Sequence, residues 1–378
     1  MLKRILALFF VLITTIIMNI SPVFADYDLA NDNILDATDI LKPETDIPDE
    51  ALEYTVTYDE EILSAGTGII TLTFGGDCVL ASDIKDRKDQ LSFEAAVEEK
   101  GMDWFLSGVL SAFEDDDLSM INLECVLADD KTGYKKRQHN FRGLPEYTEI
   151  LKKGSIEAVN IANNHHLDYS YQGKKSTRRA LENAGIRYSG YGYFDIYEKH
   201  DIRIGFGGMR ETIYLQNPRN MHEEIKKLKE SGCDYIVYSL HFGKEYEENH
   251  NELQEKMARE AIDSGADLVV GTHTHVVQGI EKYKNGLILY SLGNLVFGGN
   301  LNLEEFDAII ARVELYFSNY KLNKTELKLI PIHTSGSRKY NDFRPVFATG
   351  KAAKNILSKI ATDSQIDISE HMSFKNFE

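Results

Sequence analysis

The chain has 378 residues, of which 43% are hydrophobic and 27% charged, and a formal net charge of −18. That length accommodates one large domain or two modest ones, and the composition is that of a globular protein. The acidic balance excludes nonspecific nucleic-acid binding, which needs a cationic face.

At the amino end, Lys3 and Arg4 precede a largely apolar stretch over residues 5–20, and Val23-Phe24-Ala25 supplies small residues for cleavage. Residues 1–25 therefore read as a signal peptide, with an uncleaved membrane anchor as the alternative. Either way the remainder is expected outside the cytoplasm, secreted or tethered to the outer face of the cell membrane. Residues 26–66 follow as an acidic linker. Its first 36 residues carry 13 Asp or Glu against the single Lys42 and hold no Gly. Such a segment buries too little apolar surface to offset its ordering entropy and is expected to be a solvated stalk.

From residue 67 to 350 the pattern is that of one domain, with a tail over 351–378 that reads as a helix and a polar end. Strand-like runs fall at residues 69–74, 118–123, 158–162, 202–206, 235–240, 268–271 and 287–290. Amphipathic helical segments are expected at 104–113, 147–153, 174–184, 221–231 and 253–264. Alternation of this kind predicts a layered α/β domain. Runs at 308–317 and 326–332 lack an intervening helix and predict paired antiparallel strands. Cys78, Cys125 and Cys233 lie in or beside apolar strands, as small buried hydrophobes with inert thiols do.

Several apolar runs end in a carboxylate, an amide or a histidine, the donors of a hydrolytic metal centre. The carboxyl edge of an α/β sheet is where ligand sites assemble. Asp77 follows Gly75-Gly76, which read as a sharp turn exposing the carboxylate. Glu124 closes a buried strand and needs a partner there, either a cation or an arginine. Asn163-Asn164-His165-His166 offers a metal-binding amide and a proton donor. Asp168, three residues past His165, can hold that imidazole in one tautomer. His241 ends an apolar run. His273-Thr274-His275, taken as extended, turns both imidazoles to one side.

In order, these motifs resemble the dinuclear metallophosphatase (calcineurin-like) superfamily, and within it the CapA/PgsA-type poly-γ-glutamate capsule-synthesis family. The matching stretches include Gly76-Asp77-Cys78-Val79-Leu80, Asn122-Leu123-Glu124, Asn163-Asn164-His165-His166-Leu167-Asp168, Ser239-Leu240-His241-Phe242-Gly243-Lys244-Glu245, Gly271-Thr272-His273-Thr274-His275-Val276 and Ser291-Leu292-Gly293-Asn294. The resemblance implies a four-layer α/β/β/α sandwich binding two divalent metal ions, Mn, Fe, Zn or Mg. Asp77 and His275 would hold one, Asn164, His241 and His273 the other, with Glu124 bridging. His165 would stand as general acid, with Asp168 behind it. Arg142 and Asn294 are the expected substrate contacts. Arg142 belongs to a basic loop with Lys135, Lys136, Arg137 and His139 that suits a phosphate or a polyglutamate carboxylate.

Two departures bear on activity. Superfamily phosphatases often carry a histidine two positions after the first aspartate, where this chain has Val79, and an aspartate where Glu124 stands. Two functions follow as expectations. One is a metal-dependent hydrolase or transferase in capsule or envelope polymer assembly, acting on an anionic polymer or phosphoester, with membrane-associated capsule synthesis machinery as partner. The other is a noncatalytic, metal-stabilised polymer-binding or assembly factor.

Overall fold

The computed structural model describes residues 65–375, apart from residues 130, 132, 135 and 136. The expected leader, nearly all of the acidic stalk, and Lys135 and Lys136 lie outside the described residues.

Down the chain the strands are β1 (Gly68–Val79), β2 (Leu118–Leu123), β3 (Val126–Leu127), β4 (Arg142–Gly143), β5 (Ala158–Asn160), β6 (Arg187–Ser189), β7 (Asp195–Lys199), β8 (Ile202–Arg210) and β9 (Tyr235–His241). They continue with β10 (Leu268–Thr272), β11 (Ile280–Tyr283), β12 (Gly286–Leu289), β13 (Asn294–Phe297), β14 (Asp307–Ser318), β15 (Lys321–His333), β16 (Val346–Phe347) and β17 (His371–Lys375). The helices are α1 (Phe93–Lys100), α2 (Thr148–Lys153), α3 (Ser170–Ala184), α4 (Glu211–Gln216), α5 (Arg219–Glu230), α6 (Glu252–Ser264) and α7 (Gly350–Thr362).

One sheet runs β16-β15-β14-β1-β2-β5-β6, with β13 also on β1 and β17 on β15. The second runs β11-β12-β10-β9-β8-β7. In both, the middle strands are parallel, β1-β2-β5-β6 in one and β8-β9-β10-β12 in the other. The hairpin β14-β15 is antiparallel, as the alternating runs without a helix predict.

Consecutive residues on a strand face opposite ways, and the cores show it. Val237 of β9 packs with Ile70, Leu72 and Phe74 of β1. Its neighbours Ile236 and Tyr238 pack with Ile225 of α5 and Met257 of α6. Ile121 and Leu123 of β2 face Phe93 of α1, Ile150 of α2 and Leu181 of α3. Strands buried on both faces need unbroken apolar runs, which is why the central strands are so readable.

Residues 104–113 do not form the expected α-helix. They make turns and one 3₁₀ turn at Leu110–Ala112. Phe105, Leu106, Val109 and Phe113 are all buried, so the apolar spacing reflects insertion into a core. The indole N–H of Trp104 donates to the Asp342 carbonyl at 3.0 Å, and a side chain at Gly108 would meet the Pro345 carbonyl. The polar end of the tail is also different. Met372 and Phe374 of β17 pack against the core shared by the sheets, so this stretch adds a strand to β15.

Gly75 and Gly76 make no turn. β1 runs on through Asp77 to Val79, with a register shift against β2 between Phe74 and Asp77. The glycines admit a neighbouring backbone: a Cβ at Gly76 would lie 1.9 Å from the Gly293 carbonyl oxygen. That oxygen accepts from the Asp77 N–H at 3.0 Å. Asp77 is consequently fully buried, not exposed at a tip. Gly76→Ala should therefore destabilise the fold by roughly 1–3 kcal/mol through overpacking, read from denaturant midpoints, and weaken any ligand that Asp77 holds.

Candidate metal centre

The site is built where parallel strands end. Asp77 lies near the end of β1, Glu124 directly after β2, and Asn163 to His165 after β5. His241 is the last residue of β9, and His273 and His275 follow β10. Residues far apart in sequence meet because their strands share a direction.

Asp77 sits in a buried amide network. Its Oδ1 accepts from Asn122 Nδ2 at 2.7 Å and its Oδ2 from the His273 N–H at 3.0 Å. Asn122 Oδ1 in turn accepts from Asn160 at 2.9 Å and Asn163 at 3.2 Å. His275 Nδ1 lies 2.9 Å from Asn294 Oδ1 and 3.3 Å from Asp77 Oδ2. His241 Nε2 lies 2.7 Å from Asn164 Oδ1 and 3.4 Å from Glu124 Oε1. On its other side, His241 Nδ1 is 3.0 Å from the Thr272 hydroxyl, which can accept its proton and leave Nε2 free as a ligand.

The histidine pair reaches this place without an extended segment. Residues 273–276 form a bend, with φ of 100° at His273 and 60° at His275. Left-handed backbone at two non-glycine residues is unfavourable, and such strain clusters at functional sites. The bend lets the His273 N–H reach Asp77 while its ring lies 4.4 Å from that of His241.

Three groups of side chains bring one ligand atom each within 4.8 Å of one another: Glu124, His241 and His273; Asp77, Glu124 and His275; and Glu245, His273 and His275. Glu124 belongs to two of them. A cation fits here by the protein's own bonding. Among the described residues, the buried Glu124 Oε2 and His273 Nδ1 have no hydrogen-bond partner. Leaving such atoms unpaired costs on the order of 1–3 kcal/mol each, more for a charged group.

Electrostatics agree. Burial, then repulsion from Asp77, pushes the Glu124 carboxyl well above its ordinary pKa. Burial and the neighbouring imidazoles hold His241 well below the usual histidine value, and His273 at about 4. Burial opposes charge on both Asp77 and His275, yet their mutual contact outweighs it, lowering the pKa of Asp77 and raising that of His275. Neutral imidazoles beside an uncompensated carboxylate are the state a divalent cation requires. Nitrogen and oxygen donors without thiolates suit Mn, Fe or Zn. Cys78 and Cys125, next to two candidate ligands, are buried and free, with burial raising Cys125 to about 12 and Cys78 well above the ordinary thiol value.

Beside this cluster, His165 Nδ1 lies 2.7 Å from Asp168 Oδ2. Asp168 is buried and accepts from the Phe141 N–H at 2.9 Å and from Arg137 Nη1 at 3.1 Å. His165 is near enough for its charge to depress both His241 and His273.

Of the two expected substrate contacts, Arg142 is drawn away from the cluster and Asn294 lies within it, against His275. The Arg142 guanidinium is buried, bonded to the Ala128 carbonyl and 5.9 Å from the Tyr169 ring centre. Asn294 is bonded to His275. In the basic loop Arg137 is held by Asp168, and His139 by Asp83 at 2.8 Å. Two residues that sequence reasoning passes over matter more. Asn122 reads in sequence only as part of a strand end, although a buried amide there has to bond to something. Glu245, four residues past His241, brings a carboxylate oxygen within reach of His273 and His275.

A model of the family described as Bacterial capsule synthesis protein PGA_cap matches residues 71–299. The chain belongs to this family. The matched span encloses every candidate ligand from Asp77 to His275. The capsule biosynthesis protein CapA of Bacillus anthracis is 30% identical over 254 residues, covering 60% of each chain. The PGA biosynthesis protein CapA of Bacillus subtilis is 28% identical, covering 82% of this chain and 80% of that one. A probable polyglutamine synthesis accessory protein of Mycobacterium tuberculosis is 24% identical over 59% of this chain and 67% of its own. Among solved structures, TT1561 of Thermus thermophilus aligns with 64% of this chain and 94% of its own at 10% identity, with a TM-score of 0.37.

Glu124→Gln should raise the thermal midpoint of metal-free protein, because it removes a buried carboxylate pressed against Asp77, and should abolish stabilisation by Mn or Zn. In the native chain a cation at 100 times its Kd should add about 2.7 kcal/mol. Its affinity should climb with pH, since Glu124 and His275, whose pKa values are raised, must both lose protons for it to bind. Titration calorimetry in two buffers of different ionisation enthalpy measures that release.

Proposed function

We propose that this chain is an exported protein of capsule, poly-γ-glutamate or related envelope-polymer synthesis, working as a dinuclear-metal-dependent hydrolase or transferase. The polymer is taken from the names of the Bacillus relatives. One observation supports the metal chemistry above all: the buried, unpartnered oxygen of Glu124 within two ligand groups at once. In this reading Asp77 and His275 would hold one cation, with Glu245 added, Asn164, His241 and His273 would hold the other, and Glu124 would be available to both.

Two divalent cations, when bound, would activate a water and stabilise charge on a substrate oxygen. The chain's own residues do the rest. In its doubly protonated form His165 donates from Nδ1 to the Asp168 carboxylate and would deliver its Nε2 proton to the leaving group. Asp168 fixes the tautomer and ring angle, and is itself fixed by Arg137 and the Phe141 N–H. Burial of Asp77 and Glu124 keeps water from competing at their oxygens.

The arrangement of sheets and helices is read, in the same proposal, as the four-layer α/β/β/α sandwich of the metallophosphatases. Residues 1–25 serve as signal peptide or anchor and 26–66 as stalk, holding the domain at the outer face of the membrane near the polymer-making machinery. A noncatalytic assembly role is the second reading. It is favoured by the word accessory in the name of the mycobacterial relative and by Val79 in place of a ligand histidine.

His165→Gln separates the two. If the site is catalytic, the variant keeps its metal content and loses about 10²–10⁴-fold in turnover of phosphoester or glutamyl-polymer substrates. Should the native protein loaded with Mn, Zn or Fe turn over neither class, and H165Q complement a null strain, the assembly role holds instead.

A further inference from the structure

An anionic polymer needs cations to receive it, and the described cations of the basic loop are engaged by Asp168, Asp83 and Ala128. α3 offers others. It begins two residues after Asp168 and carries Lys174, Lys175, Arg178 and Arg179 at spacings that place them on one side of the helix. With Tyr171 and Tyr193 they line a cleft of about 790 Å³. The one carboxylate in its lining, Glu182, already accepts from Tyr188 at 2.7 Å and Arg178 at 3.3 Å. Among the described residues, no carboxylate pairs with Lys174, Lys175 or Arg179.

Lys174 stands out within this group. Its ammonium is half-buried and lies 5.0 Å from the ring centre of Tyr191, 5.5 Å from Tyr193 and 5.9 Å from Tyr171. Burial, then the nearby Arg178, lowers its pKa, so an arriving anion is favoured. Arg178 is held in place by the hydroxyls of Tyr188 at 3.1 Å and Tyr193 at 2.6 Å. Tyr191 connects the cleft to the metal centre. Its ring stacks on His166 at 3.6 Å and its hydroxyl donates to the Asn163 carbonyl at 2.7 Å, one residue before Asn164.

We propose that this cleft on α3 is the docking site for a polymer bearing repeated carboxylates, which it feeds toward the metal centre. The proposal rests on the functional reading above and adds the substrate's path. Lys174, Lys175 and Arg179 contact successive carboxylates, while the exposed Tyr171 ring covers the apolar part of the chain. Arg178 serves as a positioning residue for Tyr193.

The test uses the purified full-length chain and poly-γ-glutamate as probe, with affinity read by fluorescence anisotropy at two salt concentrations. Lys174→Gln/Lys175→Gln/Arg179→Gln should lose about tenfold in affinity, since three solvent-screened charge contacts are together worth on the order of that factor. It should flatten the salt dependence, and leave the thermal midpoint and Mn binding unchanged. Lys351→Gln/Lys354→Gln, on the exposed side of α7, should bind as the native chain does, and the single Arg179→Glu should repeat the loss with less change to the fold. Binding by the triple variant within about twofold of native overturns the proposal. So does an equal loss in the α7 variant, which means diffuse attraction, or equal affinity for polyphosphate, which means no carboxylate site. Turnover by the metal centre is read separately with a small phosphoester, so failure of the cleft and failure of the catalytic reading are distinct outcomes.

Discussion

A carboxylate that folding buries without a partner organises this molecule. Glu124 is placed by β2 against Asp77, with one buried oxygen that has no hydrogen-bond partner among the described residues. Two such carboxyl groups in one dry pocket repel, and burial penalises each charge. His275 answers Asp77, but His241 and His273, which share a ligand group with Glu124, are themselves held neutral. Glu124 therefore has no protonated imidazole to favour its charge, and a divalent cation fits that place. The amide network from Asn160 and Asn163 through Asn122 to Asp77 serves this end, since it fixes where that carboxylate points without neutralising it.

The same constraint explains the unusual backbone around the site. Bringing the Asp77 N–H onto the Gly293 carbonyl demands two residues with no side chain, and a shift in strand register follows. Bringing both His273 and His275 to the pocket demands left-handed φ at each. These are local costs of roughly 1–3 kcal/mol apiece, carried by strands buried on both faces. A rigid pair of sheets supplies the stability, and the loops at their carboxyl ends give some of it up for position.

Legibility in the sequence follows from these physics. Central strands were readable because burial on both faces forces continuous apolar runs, and the β14-β15 hairpin because it alternates. Residues 104–113 were misread because an apolar segment inserted into a core mimics a helical face. Asp77 and His273-Thr274-His275 were found from residue type and position, yet their conformations were not, since a bulge or a bend depends on a neighbour distant in sequence. Arg142 reads as a substrate contact from its place in a basic loop, and sequence offers no sign that the Ala128 carbonyl will take it. Glu245 was within view, four residues from His241, but a surface glutamate shows no signal until the fold sets it beside two imidazoles.

Charge distribution links the centre to the rest of the domain. In a chain of net charge −18, a polyanion approaches against the overall field, so attraction has to be local. In the basic loop Arg137, His139 and Arg142 are taken up in holding Asp168, Asp83 and the backbone, which secures the geometry of His165. In the proposed reading α3 separates the tasks of binding polymer and building the site. Its first turn follows directly from the Asp168 loop, so in the proposed reading His165 and the α3 cations lie on neighbouring segments of the chain. The distance between a docked polymer and His165 would then be set by that short loop and by the helix, at about 1.5 Å per helical residue.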